Sequence, residues 1–237
     1  MPPLAPPETK QLCYSVLTDA QKHRFEENNE LDLSFSVQKL SRFRGNIFIQ
    51  RGNVSGAFRA IPYTIPTVEE LGLPKIISDL GEKPRGLILV TGPTGSGKTT
   101  TLYSMLGYVR SEQVNIMTLE DPVEYPMDMI RQTSINEVLR MDFANGIRSL
   151  MRQDPDIILV GEIRDPDTAE MAFRSAMTGH QVYSTLHTNS AIGSIPRLMD
   201  IGVKSDIMSG NIIGILGQRL VRKLRPNCKA PREAADI

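Results

Sequence analysis

The sequence predicts an α/β fold, in which a parallel sheet carries helices on both faces and a small antiparallel sheet precedes it. From residue 86 onward, short apolar runs alternate with helical patterns, which is typical of a covered parallel sheet. Between residues 31 and 61, apolar residues recur at every second position, which predicts antiparallel strands instead. A glycine-rich loop also joins the first strand of the alternating part directly to a helix.

The bulk composition narrows the class of protein. The 237 residues suffice for one large domain, or for a large and a small one. Because 27 basic residues balance 27 acidic ones, binding of nucleic acid through global charge is not indicated. Two distant cysteines, Cys13 and Cys228, suit a reducing compartment. No apolar run approaches the roughly 20 residues of a membrane span and no signal pattern opens the chain, so we expect a cytoplasmic protein without direct membrane insertion.

Residues 1–65 are predicted to form a small α+β domain. Residues 1–7 are proline-rich and irregular, and residues 8–29 form a helix that breaks where Thr18 and Asp19 cap a second piece. Strands follow within 31–61, with a turn at 51–53. Residues 66–84 form a linker, which holds a capping box from Thr67 to Glu70 and a short helix near 73–80.

Residues 85–237 are predicted to form the larger domain. Short apolar runs predict strands at 87–90, 115–119, 157–160 and 182–186. Helical patterns follow residue 99 and recur at 143–152, 167–177, 192–199 and 207–224. In such an alternation, ligands bind beyond the carboxyl ends of the parallel strands.

The loop from Gly92 to Thr99 matches the phosphate-binding motif G-x-x-x-x-G-K-[ST] in full. Its glycines allow successive N–H groups to turn toward a phosphate, and the helix N-terminus adds donors and partial positive charge. Lys98 is predicted to reach the β- and γ-phosphates, and the Thr99 hydroxyl to help hold Mg²⁺. A chance glycine-rich turn is the alternative, against which the complete motif and its flanks argue. The predicted nucleotide contacts are Gly92, Pro93, Thr94, Gly95, Ser96, Gly97, Lys98, Thr99 and Thr100.

Carboxylates close two of the predicted strands. Glu120 and Asp121 end the strand at 115–119, and Glu162 follows the strand at 157–160 after Gly161. Because Mg²⁺ prefers hard oxygen ligands, an acid after an apolar strand is the expected partner of a phosphate loop. Glu162 is predicted to hold metal-bound water or to orient the attacking water. Solvated surface acids are the alternative at both positions.

Two histidines, His180 and His187, bracket the strand at 182–186. The imidazole of His187, with the hydroxyls of Thr185 and Thr188 nearby, is predicted to hydrogen-bond a γ-phosphate and to sense its loss. Ordinary strand-end polarity is the alternative for both histidines. Neither has the spacing of a zinc-binding helix motif.

Phosphoryl transfer calls for a cation beyond Lys98. Arg44 and Arg59 lie on two strands that a hairpin would bring together, so they are candidates for phosphate contacts from the small domain. A solvated basic face, which Arg42 and Arg51 would share, is the alternative.

These segments together resemble the secretion-superfamily ATPases. This family comprises the type IV pilus assembly and retraction ATPases (PilB and PilT types) and the type II secretion ATPase (GspE type). Beside the phosphate loop, residues 119–125 match its aspartate box, residues 152–165 its unusual Walker B segment with the glycine, and residues 178–188 its histidine box. The similarity extends from about residue 35 to residue 228.

The resemblance implies a partial PAS-like N-terminal domain joined to a RecA-like ATPase domain, with ATP between them. It implies a cytoplasmic homohexamer that hydrolyses ATP and moves an inner-membrane platform protein in pilus assembly, pilus retraction or type II secretion. Glu120 is then the first choice as base for the attacking water and Glu162 as the metal-side acid, with the two roles exchangeable. His187, Arg44 and Arg59 complete the implied catalytic set.

The match to the family is uneven. Residues 33–61 look most like the retraction type, whereas residues from 99 onward look more like the assembly and secretion types. Arg225 stands where those types begin a four-cysteine zinc site, and Cys228 alone predicts no zinc. Relative to the family, both ends look cut, and the C-terminal part of the ATPase domain looks truncated.

Two other functions stay open at the level of sequence. A non-hydrolysing module would use ATP only to fix the geometry of an assembly. A nucleic-acid translocase with a RecA-like core would need a basic face that bears aromatic residues. Tryptophan is absent and the net charge is zero, which disfavours the translocase.

Overall fold

Two sheets, one in each of two compact units, organise the computed structural model. The units divide the chain between Ile65 and Pro66. The structure describes residues 3–37, 40–61, 64–135 and 142–222.

The first unit is a three-stranded antiparallel sheet with two helices. The predicted break between the helices is confirmed, because Thr18 caps the second one through its side chain, in a capping box with Gln21. Its core buries Phe25 and Ile47, among other apolar side chains. In chain order the elements are α1 (Pro6–Ser15), α2 (Asp19–Asn28), β1 (Glu30–Val37), β2 (Ser41–Gln50) and β3 (Asn53–Ile61).

The second unit is a six-stranded sheet in which every pair of neighbouring strands is parallel. The strand order across the sheet is β6-β5-β7-β8-β4-β9. In chain order the elements are α3 (Ile76–Gly81), β4 (Gly86–Thr91), α4 (Lys98–Val109), β5 (Ile116–Glu120), β6 (Ile130–Ser134), α5 (Phe143–Leu150), β7 (Ile157–Val160), α6 (Pro166–Met177), β8 (Gln181–Leu186), α7 (Ser194–Asp200), α8 (Ser205–Met208) and β9 (Ile212–Gly217).

Helices cover both faces of this sheet, as predicted. Successive residues of one strand point to opposite faces, and the two core clusters divide along that alternation. Leu87 and Leu89 of β4 pack with residues of α5 and α6, whereas Ile88 and Val90 pack with residues of α4. Because both faces are buried, the central strands are rich in apolar residues, and β7 is apolar throughout, which explains why they were predictable as short apolar runs.

The prediction of one helix over residues 207–224 is wrong for its described part. There the chain forms the end of the short helix α8 and then β9, which pairs with β4 at the edge of the sheet. A short apolar run does not distinguish a strand from a buried helix by periodicity, and the residue pairs at 212–213 and 215–216 fit both. Gly214 favours the strand in retrospect, because a Cβ there would lie 2.8 Å from the Leu80 side chain.

A further strand, β6 at Ile130–Ser134, was not predicted. It lies at the opposite edge of the sheet and carries only one buried residue, Ile130. Residues 66–84 were predicted to form a linker between the two domains, and in the structure they belong to the second unit. Of these, Val68 and Ile77 belong to the core of the second unit. Within the described ranges, no helix combines the length and the apolar character that crossing a bilayer requires.

Candidate active site

The glycine-rich loop lies between the end of β4 and the start of α4. Gly97 is the N-cap residue of α4 and adopts a left-handed conformation with a φ of 85°, which glycine tolerates better than any other residue. The first N–H groups of α4 therefore follow directly on the loop, and helix N-termini leave such donors without intrahelical partners. This is a backbone arrangement suited to phosphate.

Lys98 is buried within this loop. Its Nζ donates to the carbonyl oxygens of Gly92 and Pro93, at 2.9 and 3.3 Å, and only 8% of the residue is exposed. Burial lowers the pKa of the ammonium group, and the negative charge of Glu162 opposes that shift. Among the described residues no carboxylate forms a salt bridge with Lys98. Its charge is therefore not neutralised by an ion pair there, which suits contact with an anionic ligand.

Glu120 is buried at the end of β5 and accepts hydrogen bonds from three side chains. The Tyr103 hydroxyl donates to Oε2, and the Thr118 hydroxyl and the Gln132 amide donate to Oε1, the last at 3.3 Å. Burial raises the pKa of Glu120, and the three hydrogen bonds oppose that rise. A carboxylate with a raised pKa is better matched to proton abstraction near neutral pH than an ordinary one.

Glu162 lies just beyond β7 and faces the side chains of Arg164 and His187. Arg164 Nε is 2.5 Å and His187 Nε2 is 3.5 Å from the same oxygen, Oε2. That oxygen is buried and has no aligned hydrogen-bond donor among the described residues. Burial and the charge of Lys98 lower the pKa of His187, against the pull of Glu162, which favours the neutral form of the imidazole.

The topology brings these groups to one edge of the sheet. Strands β5, β7, β8 and β4 are consecutive neighbours and parallel, so their carboxyl ends meet at the same edge. Glu120, Glu162, His187 and the glycine-rich loop each follow one of these ends. The predicted gathering of two acids and a histidine along the phosphate loop is thus what the fold produces in the second unit.

Hydroxyl groups connect the loop to the segment that carries His187. Thr91 Oγ1 donates to the Thr188 carbonyl oxygen and accepts from the Thr188 N–H, both at 3.0 Å. The Thr188 hydroxyl in turn lies 3.0 Å from that of Ser194 in α7. Hydrogen bonds thus join the residue that precedes the phosphate loop to the residue after His187 and to the start of α7.

Other predicted groups lie elsewhere. His180 precedes β8, at the amino ends of the strands, and its Nδ1 lies 2.9 Å from the Ser175 carbonyl oxygen, so its role there is structural. In the first unit, β2 and β3 pair with Arg44 directly opposite Arg59, so the expected hairpin does bring them together. Arg225 and Cys228, on which the prediction of no zinc depends, lie outside the described residues.

The comparison with protein families decides the family. The model of a family described as "Type II/IV secretion system protein" matches residues 68–236. The chain belongs to this family. The match covers the whole arrangement around β4, β5, β7 and β8.

Relatives of the chain come from type II secretion systems and from a type IV pilus. The chain is 54% identical over 157 residues to the type II secretion system protein E of Aeromonas hydrophila, which covers 66% of this chain and 31% of that one. It is 52% identical over 169 residues to the type IV pilus assembly ATPase TfpB of Acinetobacter baylyi, covering 70% of this chain and 29% of that one. The chain therefore spans less than a third of the length of these relatives.

Solved structures share the fold of most of this chain. A crystal structure of the pilus retraction motor PilT with bound ADP has a TM-score of 0.76 and 43% identity, and covers 87% of this chain and 63% of that one. The ATPase DotB of Legionella pneumophila has a TM-score of 0.75 and 27% identity, and covers 90% of this chain and 64% of that one. The predicted family and fold class, a RecA-like core after a smaller N-terminal domain, are confirmed.

Sequence reasoning missed several side chains that contact the two acids of the candidate site. Tyr103, Gln132 and Arg164 contact the two acids, yet each lies within an ordinary helical, strand or loop pattern. Tyr103 lies on α4, five residues after Lys98. Its contact with Glu120 can be predicted only once α4 and β5 are known to pack together. Such contacts join distant segments and leave no local pattern.

Proposed function

We propose that the chain is the nucleotide-hydrolysing part of a motor that powers a type II secretion system or a type IV pilus. One observation carries this proposal: two acids, a histidine and a complete phosphate loop follow adjacent parallel strands at one sheet edge. A type II secretion system ATPase and a type IV pilus assembly ATPase among the relatives, and the ADP in the related motor, support ATP as the nucleotide. The reaction is hydrolysis of ATP to ADP and phosphate.

In this reaction the loop residues Gly92–Thr100 hold the phosphates, with Lys98 on the β- and γ-phosphates. Glu120 takes a proton from the attacking water, for which its raised pKa prepares it. His187, whose lowered pKa favours the neutral imidazole, hydrogen-bonds the γ-phosphate and reports its departure through Thr188 and Thr91. Arg44 and Arg59, which lie opposite each other in register, are the candidates for the additional cation.

Mg²⁺ fits the oxygen donors of the site. The Thr99 hydroxyl, in the first turn of α4, and the Glu162 carboxylate are the hard ligands that this cation prefers. Glu162 Oε2 is buried and lies 2.5 Å from Arg164 Nε without an aligned hydrogen bond, so a metal-bound water would share this carboxylate with Arg164. The cation supplies neutralisation of the charge that develops on the phosphates.

The assembly that we propose for the whole protein is a homohexamer at the cytoplasmic side of the inner membrane. It acts on a membrane-embedded platform protein, and nucleotide turnover drives movement of that partner. The kinship with the secretion and pilus ATPases supports this arrangement.

The proposal is tested by steady-state phosphate release from ATP and Mg²⁺. Glu162→Gln keeps the shape of the side chain but removes the charge that holds the metal-side water, and we expect at least a roughly 100-fold loss of turnover. Glu170→Gln, at an exposed position on α6, is the matched control and should release phosphate at the parent rate. If, under conditions that permit oligomers, the parent releases no more phosphate than Glu162→Gln, the motor assignment fails for this chain, and the absence of any release by either would favour the non-hydrolysing module.

A further inference from the structure

We propose that Gln218, the residue after β9, is a positioning residue that holds the phosphate loop in its binding conformation. The inference rests on the proposed nucleotide site and assigns to that site a side chain outside the phosphate-loop motif. Gln218 lies more than a hundred positions beyond the loop in sequence, and the packing of β9 against β4 brings it there.

Gln218 contacts the loop at its start, its middle and the helix beyond. Its backbone N–H donates to the Thr91 carbonyl oxygen at 2.8 Å, which continues the β4–β9 ladder past the last strand residue. Its side-chain Nε2 donates to the Ser96 carbonyl oxygen at 2.8 Å, and its Oε1 accepts from the Thr101 hydroxyl at 2.7 Å. One residue thus spans the whole loop with three hydrogen bonds.

The polarity of the two side-chain bonds specifies an amide. Ser96 offers a carbonyl oxygen, which needs a donor, and Thr101 offers a hydroxyl, which here acts as donor to an acceptor. A glutamate would set an oxygen against the Ser96 carbonyl oxygen, and a methionine would offer neither group. Thr101 is only 1% exposed, so water does not readily replace its lost partner.

The contact at Ser96 bears directly on phosphate binding. The C=O of Ser96 and the N–H of Gly97 belong to one planar trans peptide, so they point in opposite directions. Anchoring the carbonyl oxygen to Gln218 therefore turns the Gly97 N–H away from Gln218 and fixes its direction. Without that anchor the peptide could rotate and lose its donor to the phosphate.

Gln218 approaches two loop glycines so closely that a side chain at either position would contact it. A Cβ at Gly97 would lie 2.9 Å from Gln218 Nε2, and a Cβ at Gly92 would collide with the Gln218 carbonyl oxygen. The next residue, Arg219, donates from Nη2 to the Asn189 carbonyl oxygen at 3.0 Å, two positions after His187. The segment after β9 therefore binds both loops of the candidate site.

The test compares nucleotide affinities of the parent chain, Gln218→Met and the exposed Gln113→Met, which is the matched control. Dissociation constants for ADP and AMP are measured by competition calorimetry. Because the loop is proposed to hold the β-phosphate, Gln218→Met should weaken ADP binding roughly tenfold, the effect of one or two lost hydrogen bonds, and AMP binding by much less. Gln113→Met should leave both constants within a factor of two.

Thr101→Val provides a second variant that leaves Gln218 in place and removes only the donor that orients its amide. It should shift the ADP constant in the same direction by a smaller factor, and it carries the test if Gln218→Met does not fold. Folding is checked by thermal unfolding without nucleotide.

The outcomes separate the two proposals. A parent chain that does not bind ADP overturns the nucleotide site itself and this inference with it. A parent that binds ADP while the folded Gln218 or Thr101 variants bind it equally well overturns only the role of Gln218. Equal losses of ADP and AMP affinity also overturn that role, since they indicate general damage to the site.

Discussion

At the scale of single residues, the orientation of Glu120 in the candidate site is fixed by burial and by three hydrogen bonds. Its carboxylate is 4% exposed and receives donors from Tyr103, Thr118 and Gln132. Tyr103 is itself fully buried, and burial together with the negative charge of Glu120 raises the pKa of its hydroxyl, which keeps that hydroxyl a donor. The network fixes the orientation of Glu120 before any ligand binds.

The raised pKa of Glu120 predicts a pH-dependent effect of Glu120→Gln on stability. A carboxyl whose folded pKa lies above its unfolded value favours the folded state at low pH, and that contribution is lost as the pH rises through the folded pKa. The free energy of unfolding of Glu120→Gln should therefore rise relative to the parent as the pH increases from 4.5 toward neutrality.

Urea unfolding at a series of pH values measures this difference. Exposed Glu112→Gln serves as control, and its difference from the parent should change little with pH. A constant difference between Glu120→Gln and the parent over the same range would contradict the origin assigned to the shift.

At the scale of elements, the junction between α3 and β8 depends on one buried amide. Gln181 is 2% exposed, and its Nε2 donates to the carbonyl oxygens of Leu80 and Gly81, at 2.9 and 3.1 Å. Its Oε1 accepts from the Tyr183 hydroxyl at 3.1 Å. These bonds satisfy the C-terminal carbonyl groups of α3, which have no partner inside their own helix.

We therefore expect Gln181→Leu to lower the free energy of unfolding by about 2–4 kcal/mol, because it leaves buried polar groups without partners. Chemical denaturation measures the loss, and Gln113→Leu on the surface is the control, expected to change stability by less than about 0.5 kcal/mol. A loss no larger than that of the control would show that this amide does not secure the junction.

The elements also show how far the sequence could predict the fold. Strands that are buried on both faces, such as β4 and β7, consist mainly of apolar residues and can therefore be predicted from the sequence. The edge strands are harder to predict. β6 is largely polar, and the apolar pairs of β9 fit a helix as well as a strand. Their state is decided by pairing with β5 and β4, which local pattern does not encode.

The same division holds in the candidate site. The phosphate loop, Glu120, Glu162 and His187 were predictable because each stands at a strand end with a chemical reason to be there. Tyr103 and Gln218 were not, because they reach the site through packing of α4 and β9. Supporting residues depend on contacts between distant segments, whereas the reacting groups leave local motifs.

At the scale of the whole molecule, the chain combines two units of different architecture. The smaller unit presents Arg44 and Arg59 side by side, and the larger unit gathers the phosphate loop and the acids. The pilus retraction motor PilT and the ATPase DotB share this fold. We propose that this protein turns over ATP with Glu120 as the base.

The most direct test of that claim is steady-state phosphate release by Glu120→Gln beside the parent and Glu112→Gln, with ATP affinity measured on the same samples. We predict that Glu120→Gln binds ATP like the parent but releases phosphate at least about 100-fold more slowly, while Glu112→Gln matches the parent. Turnover of Glu120→Gln at the parent rate, or no release by the parent itself, would contradict the account.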